Sequence, residues 1–316
     1  MVARVLDGRA LASTLLSTLK PKVSSFAQQF ARQPTLSVIL VGDDAASARY
    51  VMRKEEAAES LGVRSRVVRL HASATQEEIL SAIHNENENR EVDALLVQCP
   101  LPAHVDTRKV VQAIDPEKDV DGFHPSNLGK LATLPPATFD NTVDFVHALH
   151  QTAQLPCAAQ AVFRMLVEAG HKDLRGKNVV VLGRSFLVGM PVMMLLLRAG
   201  ASVTNLSRFD DIETQKQAVQ KAEIVICAIG KACHIGADWI DPAKQCTIID
   251  VGTNVSDERD ADGRRVLVGD VNPEAANNAA AMTPVPGGVG PLTVACLLRN
   301  CIHIACHREN ASFQAL

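Results

Sequence analysis

Tyr50 and Lys54 stand four residues apart in the segment RYVMRKEEAA (Arg49 to Ala58), and Tyr50 is the only tyrosine in the 316-residue chain. On a helix, that spacing stacks the two side chains on one face, a turn apart. A phenol and an ammonium so placed suit two different things. They can share water on a solvated helix face, or they can form a site where an aromatic plate holds a flat ligand beside a proton-handling amine. Other segments have the same double character. In KDVDGFHP (118–125), Asp119 and Asp121 precede Gly122 in a turn. A carboxylate there caps the turn, or it accepts paired N–H groups from a heterocycle. TPVPGGVGP (283–291) holds three prolines and three glycines. That mixture stiffens the backbone while allowing a ligand to approach closely, and it equally suits an interdomain linker.

Elements must hold these residues, and the first half of the chain alternates in period. TLSVILVG (35–42) reads as a strand, followed by a helix from about Ala45 to Leu61. SRVVRL (65–70) is a second strand, TQEEILSAIHNENEN an amphipathic helix and VDALLVQ (92–98) a third strand. Such alternation implies βαβ units and a parallel sheet covered on both faces. Ligands of such sheets sit beyond the carboxyl ends of the strands. Gln98 lies at one of these ends, and Tyr50 and Lys54 belong to a helix that follows another, which weakens the reading as a plain solvated face. The turn-rich stretch LATLPPATFDN (131–141) closes this series.

A second series begins with KNVVVLGRSFLVGMPVMMLLLRAG (177–200) and continues through ASVTNLS, AEIVICAIG and CTIIDVG. Asp262-Gly263 reads as an exposed hairpin turn before VLVGDV, and the apolar helix after Pro291 is expected to pack back onto the first domain. In NVVVLGRSFLVGMP a buried strand runs into Gly183, and Pro191 suits the first turn of the next helix. A helix N-terminus offers free N–H donors and partial positive charge, so a diphosphate could rest there. The pattern is GxSxxxG rather than GxGxxG, with Ser185 at the second glycine and Gly189 displaced. The strand after it ends in TNLSRFD, where an NAD site usually has an acidic residue. Here Ser207 and Arg208 take that place, with Asp210 beyond and Arg184 in the first loop. Two guanidinium groups suit a 2′-phosphate, which favours NADP over NAD.

Bulk properties narrow the classes. Lys and Arg total 32 against 35 Asp and Glu, so no strong field attracts nucleic acid or an anionic membrane. No apolar run is read as approaching the ~20 residues that cross a bilayer. The start, MVARVLDGRALAS, lacks the features of a signal or transit peptide, and a cytoplasmic location is the default expectation. The eight cysteines form no CxxC pair, and several that sit in apolar strings, such as Cys227 in EIVICAIG, read as buried reduced thiols. The tail CIHIACH groups Cys301, His303, Cys306 and His307, but their helical spacing argues against a metal site.

Taken in order, VLDGRALA, YVMRK, VQCPLPAHV, PEKDVDGFHP, GRSFLVGMP, IDVGTN, GDVNPE and TPVPGGVGPLTVA resemble the methylenetetrahydrofolate dehydrogenase/cyclohydrolase family. The resemblance implies an α/β fold of two domains. One is a folate-binding catalytic domain, residues 1–140 with a C-terminal helix at 291–316; the other is a Rossmann-type, doubly wound domain at 141–290, with a cleft between them. It implies NADP-dependent oxidation of 5,10-methylenetetrahydrofolate to the methenyl cation and hydrolysis to 10-formyltetrahydrofolate, by a homodimer. By position, Tyr50, Lys54, Gln98 and Asp121 take the family's active-site roles. Val51, Met52, Arg53, Val97 and Cys99 accompany them in the folate site, lined further by Pro286, Gly287, Gly288, Val289 and Gly290. Gly183, Arg184 and Ser185 would hold cofactor phosphates, with Arg208 near the adenosine end and Thr253 near the nicotinamide side; no metal is implied.

The residue types suit that chemistry. Hydride removal leaves a cation that flanking nitrogens stabilise, so positioning is the main task. Hydrolysis needs a base beside a cation. Burial and a cationic ligand would favour the neutral amine of Lys54, and Gln98 can bond it without adding charge. The chain departs from the family at PCAAQA (Pro156 to Ala161), where members read PCTPxG, and at Ser207, where many carry His. A dehydrogenase with weak cyclohydrolase activity and a non-catalytic folate or nucleotide binder are the competing readings.

Overall fold

The computed structural model describes residues 3–133, 154–259 and 265–314. In chain order, its first elements are β1 (Arg4–Val5), α1 (Gly8–Phe30), β2 (Thr35–Val41), α2 (Ala45–Leu61), β3 (Arg64–Leu70) and α3 (Gln76–Glu88). Next come β4 (Ala94–Val97), α4 (Thr107–Ala113), α5 (Pro125–Thr133), α6 (Cys157–Glu168), β5 (Asn178–Leu182), α7 (Gly189–Arg198) and β6 (Ser202–Leu206). The series ends with α8 (Ile212–Lys221), β7 (Ile224–Cys227), β8 (Thr247–Asp250), β9 (Asn254–Arg259), β10 (Arg265–Val268), β11 (Ala281–Met282) and α9 (Val289–Arg308).

The chain divides into two compact units, Ser13–Gly129 with Val294–Leu316, and Met1–Ala12 with Lys130–Thr293. This corrects the expected 1–140 domain at its start. Arg4 and Val5 pair in parallel with Ala281 and Met282, and the Leu6 N–H donates to the Met282 carbonyl at 2.9 Å, which ties the first residues to the second unit. The expected boundary at 140 lies in 134–153, outside the described residues; the division falls at Gly129 and Lys130.

In the first unit, β3, β2 and β4 form a parallel sheet in that order, and a bridge from Leu95 to Asp119 extends it beside β4. Every residue of β2 is buried, as expected of a β-branched run covered on both faces. Ile39, Val41, Ile79, Ile83, Leu95, Val97 and Val110 pack into one cluster. Each such side chain contributes roughly 1.5–3 kcal/mol when fully buried. The helix α2 starts where Asp44 accepts the Ser47 N–H and stops at Gly62, which is left-handed at φ 87°. Those two signals fix the turn on which Tyr50 and Lys54 are carried.

In the second unit, six strands lie in the order β1-β11-β8-β7-β5-β6, all paired in parallel. Its core gathers Val180, Leu182, Val225, Cys227, Ile248 and Trp239. The strands β9 and β10 pair antiparallel. The Asp262-Gly263 turn expected between them lies outside the described residues. The long helix α1 escaped the sequence reading because Pro21 stands inside it. Its start is set by Asp7, whose Oδ1 accepts from the Arg9 and Ala10 N–H groups.

The absence of an apolar run of membrane-spanning length is also corrected. By length and composition α9 could cross a bilayer, but it is mostly buried, as the core helix of a globular protein is. Within it, His303 packs edge-on against Phe313. Burial first, then the neighbouring Arg299 and His307, pushes its imidazole down to about 4. The unfolded chain therefore takes up a proton below about pH 6.5 that the folded chain refuses, so this residue's contribution to stability is lost as pH falls from about 6.5 towards 4. We expect urea midpoints measured from pH 7 to 4.5 to fall less steeply for His303→Gln than for the unmodified chain; parallel slopes would show that the imidazole titrates freely.

Candidate active site

Lys54 lies on the face of α2 that also carries the half-buried Tyr50, and only 9% of the residue is exposed. Its Nζ donates to Gln98 Oε1 at 3.0 Å. Gln98 sits just past β4, where its backbone N–H donates to the Ile39 carbonyl at 2.8 Å and continues the sheet pairing. Its amide is oriented by a second bond, Nε2 to the Cys99 carbonyl at 2.6 Å, so the oxygen is left to face the lysine. The amine thus has a partner with no charge. The Cys99 thiol is pushed up to about 11, chiefly by burial and then by Asp121, with Lys54 opposing. It stays protonated at neutral pH, and the same forces show that Lys54 and Asp121 both lie within electrostatic reach of it.

The two aspartates of the following turn are told apart by their partners. Asp119 is buried, and Oδ1 accepts the Gly122 N–H at 3.0 Å while Oδ2 accepts the His124 N–H at 2.7 Å and Asn127 Nδ2 at 3.0 Å. Burial raises its pKa, and the His124 and Asn127 donors partly offset this. Asp119 is therefore the residue that ties the turn. Asp121 is half-buried beyond it, on the side that Cys99 senses. Of the accompanying residues, Val51 and Val97 are buried, Cys99 is half-buried, and Met52 and Arg53 are exposed.

The dinucleotide-type residues lie in the other unit. Gly183 ends β5 at φ 118°, and a Cβ there would stand 2.1 Å from the Ala228 carbonyl oxygen. A Cβ on Gly189 would stand 2.2 Å from the Gly183 oxygen. Only glycine permits either approach, so the displaced third glycine still seats helix on strand. Ser185 shapes the turn through its hydroxyl, which accepts the Val188 N–H at 3.2 Å. At the start of α7, Val188 provides no side-chain cap, the Met190 N–H donates to the Ser185 carbonyl at 3.0 Å, and Pro191 carries no N–H. The glycine turn is the part that fits a diphosphate.

The two expected guanidinium groups differ. Arg184 pairs with Asp210 at 3.0 Å, and Asp210 also accepts the Ser207 N–H at 2.7 Å. Those Ser207 bonds, ahead of Arg184, hold the Asp210 carboxyl below its usual range. Arg208 is exposed and lies over the Phe209 ring, 5.1 Å from its centre. Thr253 is exposed. In the proline–glycine loop, Gly287 and Gly288 are buried, Pro286 is exposed, and the Gly287 carbonyl accepts from Gly8 at 3.0 Å. A Cβ on Gly8 would fall 1.8 Å from the Gly288 oxygen, so the glycines serve backbone contact first. At PCAAQA, α6 starts at Cys157, and its alanines sit comfortably in a helix.

Sequence reading missed two buried acidic residues, Asp250 and Asp270, which lie among backbone N–H groups of three loops. Their place at the ends of apolar strings, IIDVG and LVGDV, was the available signal.

A tetrahydrofolate dehydrogenase/cyclohydrolase catalytic-domain model matches residues 6–121, and the NAD(P)-binding-domain model of the same family matches residues 156–309. The bifunctional protein FolD of Acidiphilium cryptum is 44% identical over 311 residues, covering 98% of this chain and 100% of that protein. The FolD of Zymomonas mobilis is 39% identical over 98% of this chain and 99% of its own. Among solved structures, the Trypanosoma brucei methylenetetrahydrofolate dehydrogenase-cyclohydrolase, complexed with NADP cofactor and an inhibitor, is 34% identical with a TM-score of 0.87, covering 98% and 100% of the two chains. A silkworm methylenetetrahydrofolate dehydrogenase is 37% identical with a TM-score of 0.83, covering 98% and 99%.

The chain belongs to the tetrahydrofolate dehydrogenase/cyclohydrolase family. It is an enzyme with that family's two activities on folate-bound one-carbon units, and its second unit is a nicotinamide-dinucleotide-binding domain. Asp119 holds the turn that carries Asp121. Asp119→Ala strands three donors, and we expect it to lower stability by at least ~2 kcal/mol in urea denaturation and to raise KM for methylenetetrahydrofolate. An unchanged KM in the folded variant would show that the turn places Asp121 unaided.

Proposed function

We propose that this chain oxidises 5,10-methylenetetrahydrofolate with NADP and hydrolyses the resulting methenyl cation to 10-formyltetrahydrofolate, with Tyr50, Lys54, Gln98 and Asp121 acting on the folate. The observation that carries this reading is the bond from the amine of Lys54, a residue largely buried, to a neutral amide oxygen. In this reading, Tyr50 lays its ring against the folate aromatic system. Asp121 accepts from the pterin amino and ring N–H groups and sets its orientation. The neighbours Val51, Met52, Arg53, Val97 and Cys99 are assigned to the folate with them, as are Pro286 to Gly290 on the strength of the resemblance.

NADP bound at the Gly183–Ser185 turn supplies the hydride acceptor. The chain's own task in that half-reaction is alignment, because the nitrogens beside the methylene carbon stabilise the cation without help from an acid. Hydrolysis asks more of the protein. Water adds through oxygen to the methenyl carbon while Lys54 takes one of its protons. The carbinolamine hydroxyl then gives up its proton as the C=O forms, the bond from that carbon to N5 breaks with its electron pair on N5, and N5 takes up a proton. This leaves the formyl group on N10 and one proton released overall. Gln98 holds the amine in line and adds no charge that would keep it protonated. For the cofactor, Arg208 would hold the 2′-phosphate, while Arg184 is already engaged by Asp210. Thr253 would lie towards the nicotinamide. We further infer a homodimer acting in the cytoplasm, with neither nucleic acid nor membrane as partner.

Two measurements test the assignment. Lys54→Met should remain folded and lose cyclohydrolase activity by about 10²–10⁴-fold, the range of a general base; full activity would remove Lys54 from the chemistry. Initial rates with each dinucleotide should show Arg208→Ala raising KM for NADP about tenfold or more while leaving NAD nearly unchanged, one charge-assisted phosphate contact being about 1.5–3 kcal/mol. Equal effects on both would place the 2′-phosphate elsewhere.

A further inference from the structure

Asp250 and Asp270 are both buried in the second unit, and neither is used in the mechanism above. Asp250 ends β8. Its Oδ1 accepts the Gly252 N–H at 2.9 Å and the Asp270 N–H at 3.1 Å, while Oδ2 accepts the Val271 N–H at 2.9 Å. Asp270 is denser still. Its Oδ2 accepts the Ile229 and Gly230 N–H groups at 2.7 and 3.0 Å, and Oδ1 accepts the Lys231 N–H at 3.0 Å and Asn254 Nδ2 at 2.9 Å.

Three consecutive backbone N–H groups aimed at one point form an anion-binding concavity. At the carboxyl end of a strand in a dinucleotide-binding sheet, the expected occupant is a ligand phosphate. Here the protein fills the concavity with its own carboxylate. The donors of Ile229–Lys231 are therefore spent, and the loop can meet a ligand only with its carbonyls and side chains. Its position is fixed against the phosphate turn as well, since the Ala228 oxygen is the atom that a Cβ on Gly183 would strike. The second arm of Asp270 reaches the loop carrying Thr253. Asn254, which follows Thr253, donates to the carboxylate, and Gly252, which precedes it, is so close that a Cβ would stand 2.3 Å from Asp270 Oδ1. Asp250 braces the assembly from below. A Cβ on Gly269 would stand 1.9 Å from its Oδ2. Burial above all pushes the Asp250 carboxyl up to about 7, with Asp270 adding to the rise and the Val271, Asp270 and Gly252 N–H groups opposing it.

We propose that Asp270 is the positioning residue of the dinucleotide site, clamping the Ile229–Lys231 loop and the Thr253 loop to one another, with Asp250 as its brace. The inference rests on the proposed reading of this unit as the NADP site. The bifunctional enzyme supplies its own control, because hydrolysis of methenyltetrahydrofolate consumes no dinucleotide. Asp270→Asn puts an amide NH₂ against backbone donors and breaks one arm of the clamp. KM for NADP is expected to rise tenfold or more, with cyclohydrolase kcat/KM within twofold of the unmodified enzyme.

Asn254→Ala removes a single donor outside the carboxylate and is expected to raise KM for NADP about threefold, again with hydrolysis intact; it carries the test should Asp270→Asn fail to fold. A parallel fall of both activities in either folded variant, or an unchanged KM for NADP in Asn254→Ala, overturns the proposal. Failure of the unmodified enzyme to form NADPH from methylenetetrahydrofolate would sink the reading of the site, and this proposal with it. Normal wild-type rates with unmoved variants would sink this proposal alone.

Discussion

Removing an amine from water is costly unless something accepts its hydrogens, and most proteins meet that need with a carboxylate. The bond from Lys54 to Gln98 meets it with an amide oxygen instead. The choice constrains everything around it. A neutral acceptor holds the nitrogen in place without setting a charge beside it. It also demands that the acceptor be held rigidly, because an amide can turn over. The Gln98 backbone is therefore anchored to β2 through Ile39, and its Nε2 is taken up by Cys99. The donor is fixed just as firmly, since α2 is capped at Asp44 and ended at Gly62.

A second theme recurs in both units. Loops beyond strand ends have backbone N–H groups without strand or helix partners, and in this chain buried aspartates collect them. Asp119 does so for the turn before α5, and Asp250 and Asp270 do so around β7, β8 and β10. A carboxylate suits the role because it accepts at both oxygens and donates nothing when ionised. The arrangement stiffens loops that would otherwise be the most mobile parts of an α/β sheet, and it does so at the strand ends where ligands are met.

How much of this was legible in the sequence depended on how local each signal was. The helix carrying Tyr50 and Lys54 was placed from about Ala45 to Leu61, the bounds it has, because its cap and its terminating glycine adjoin it. The parallel strands followed from their apolar runs. What was missed is held by distant partners. The pairing of Arg4 and Val5 with Ala281 and Met282 joins opposite ends of the chain, and nothing near residue 4 announces it. Asp119 and Asp121 looked alike in the turn; the Gly122 and His124 N–H groups and Asn127 mark Asp119 as the one that ties it. Arg184 looked as free as Arg208, since its pairing with Asp210 crosses from one loop to another. The clamp at Asp270 draws on segments around 230 and 254, beyond the reach of any local pattern.

The neutrality of the partner on Lys54 can be tested by changing its charge and little else. Gln98→Glu keeps the length and one acceptor oxygen at the same 3.0 Å contact. Cyclohydrolase kcat is expected to fall by about 10²-fold or more, with methenyltetrahydrofolate still bound, because the added carboxylate favours the ammonium form of the amine. Hydrolysis at the unmodified rate in that variant would contradict it.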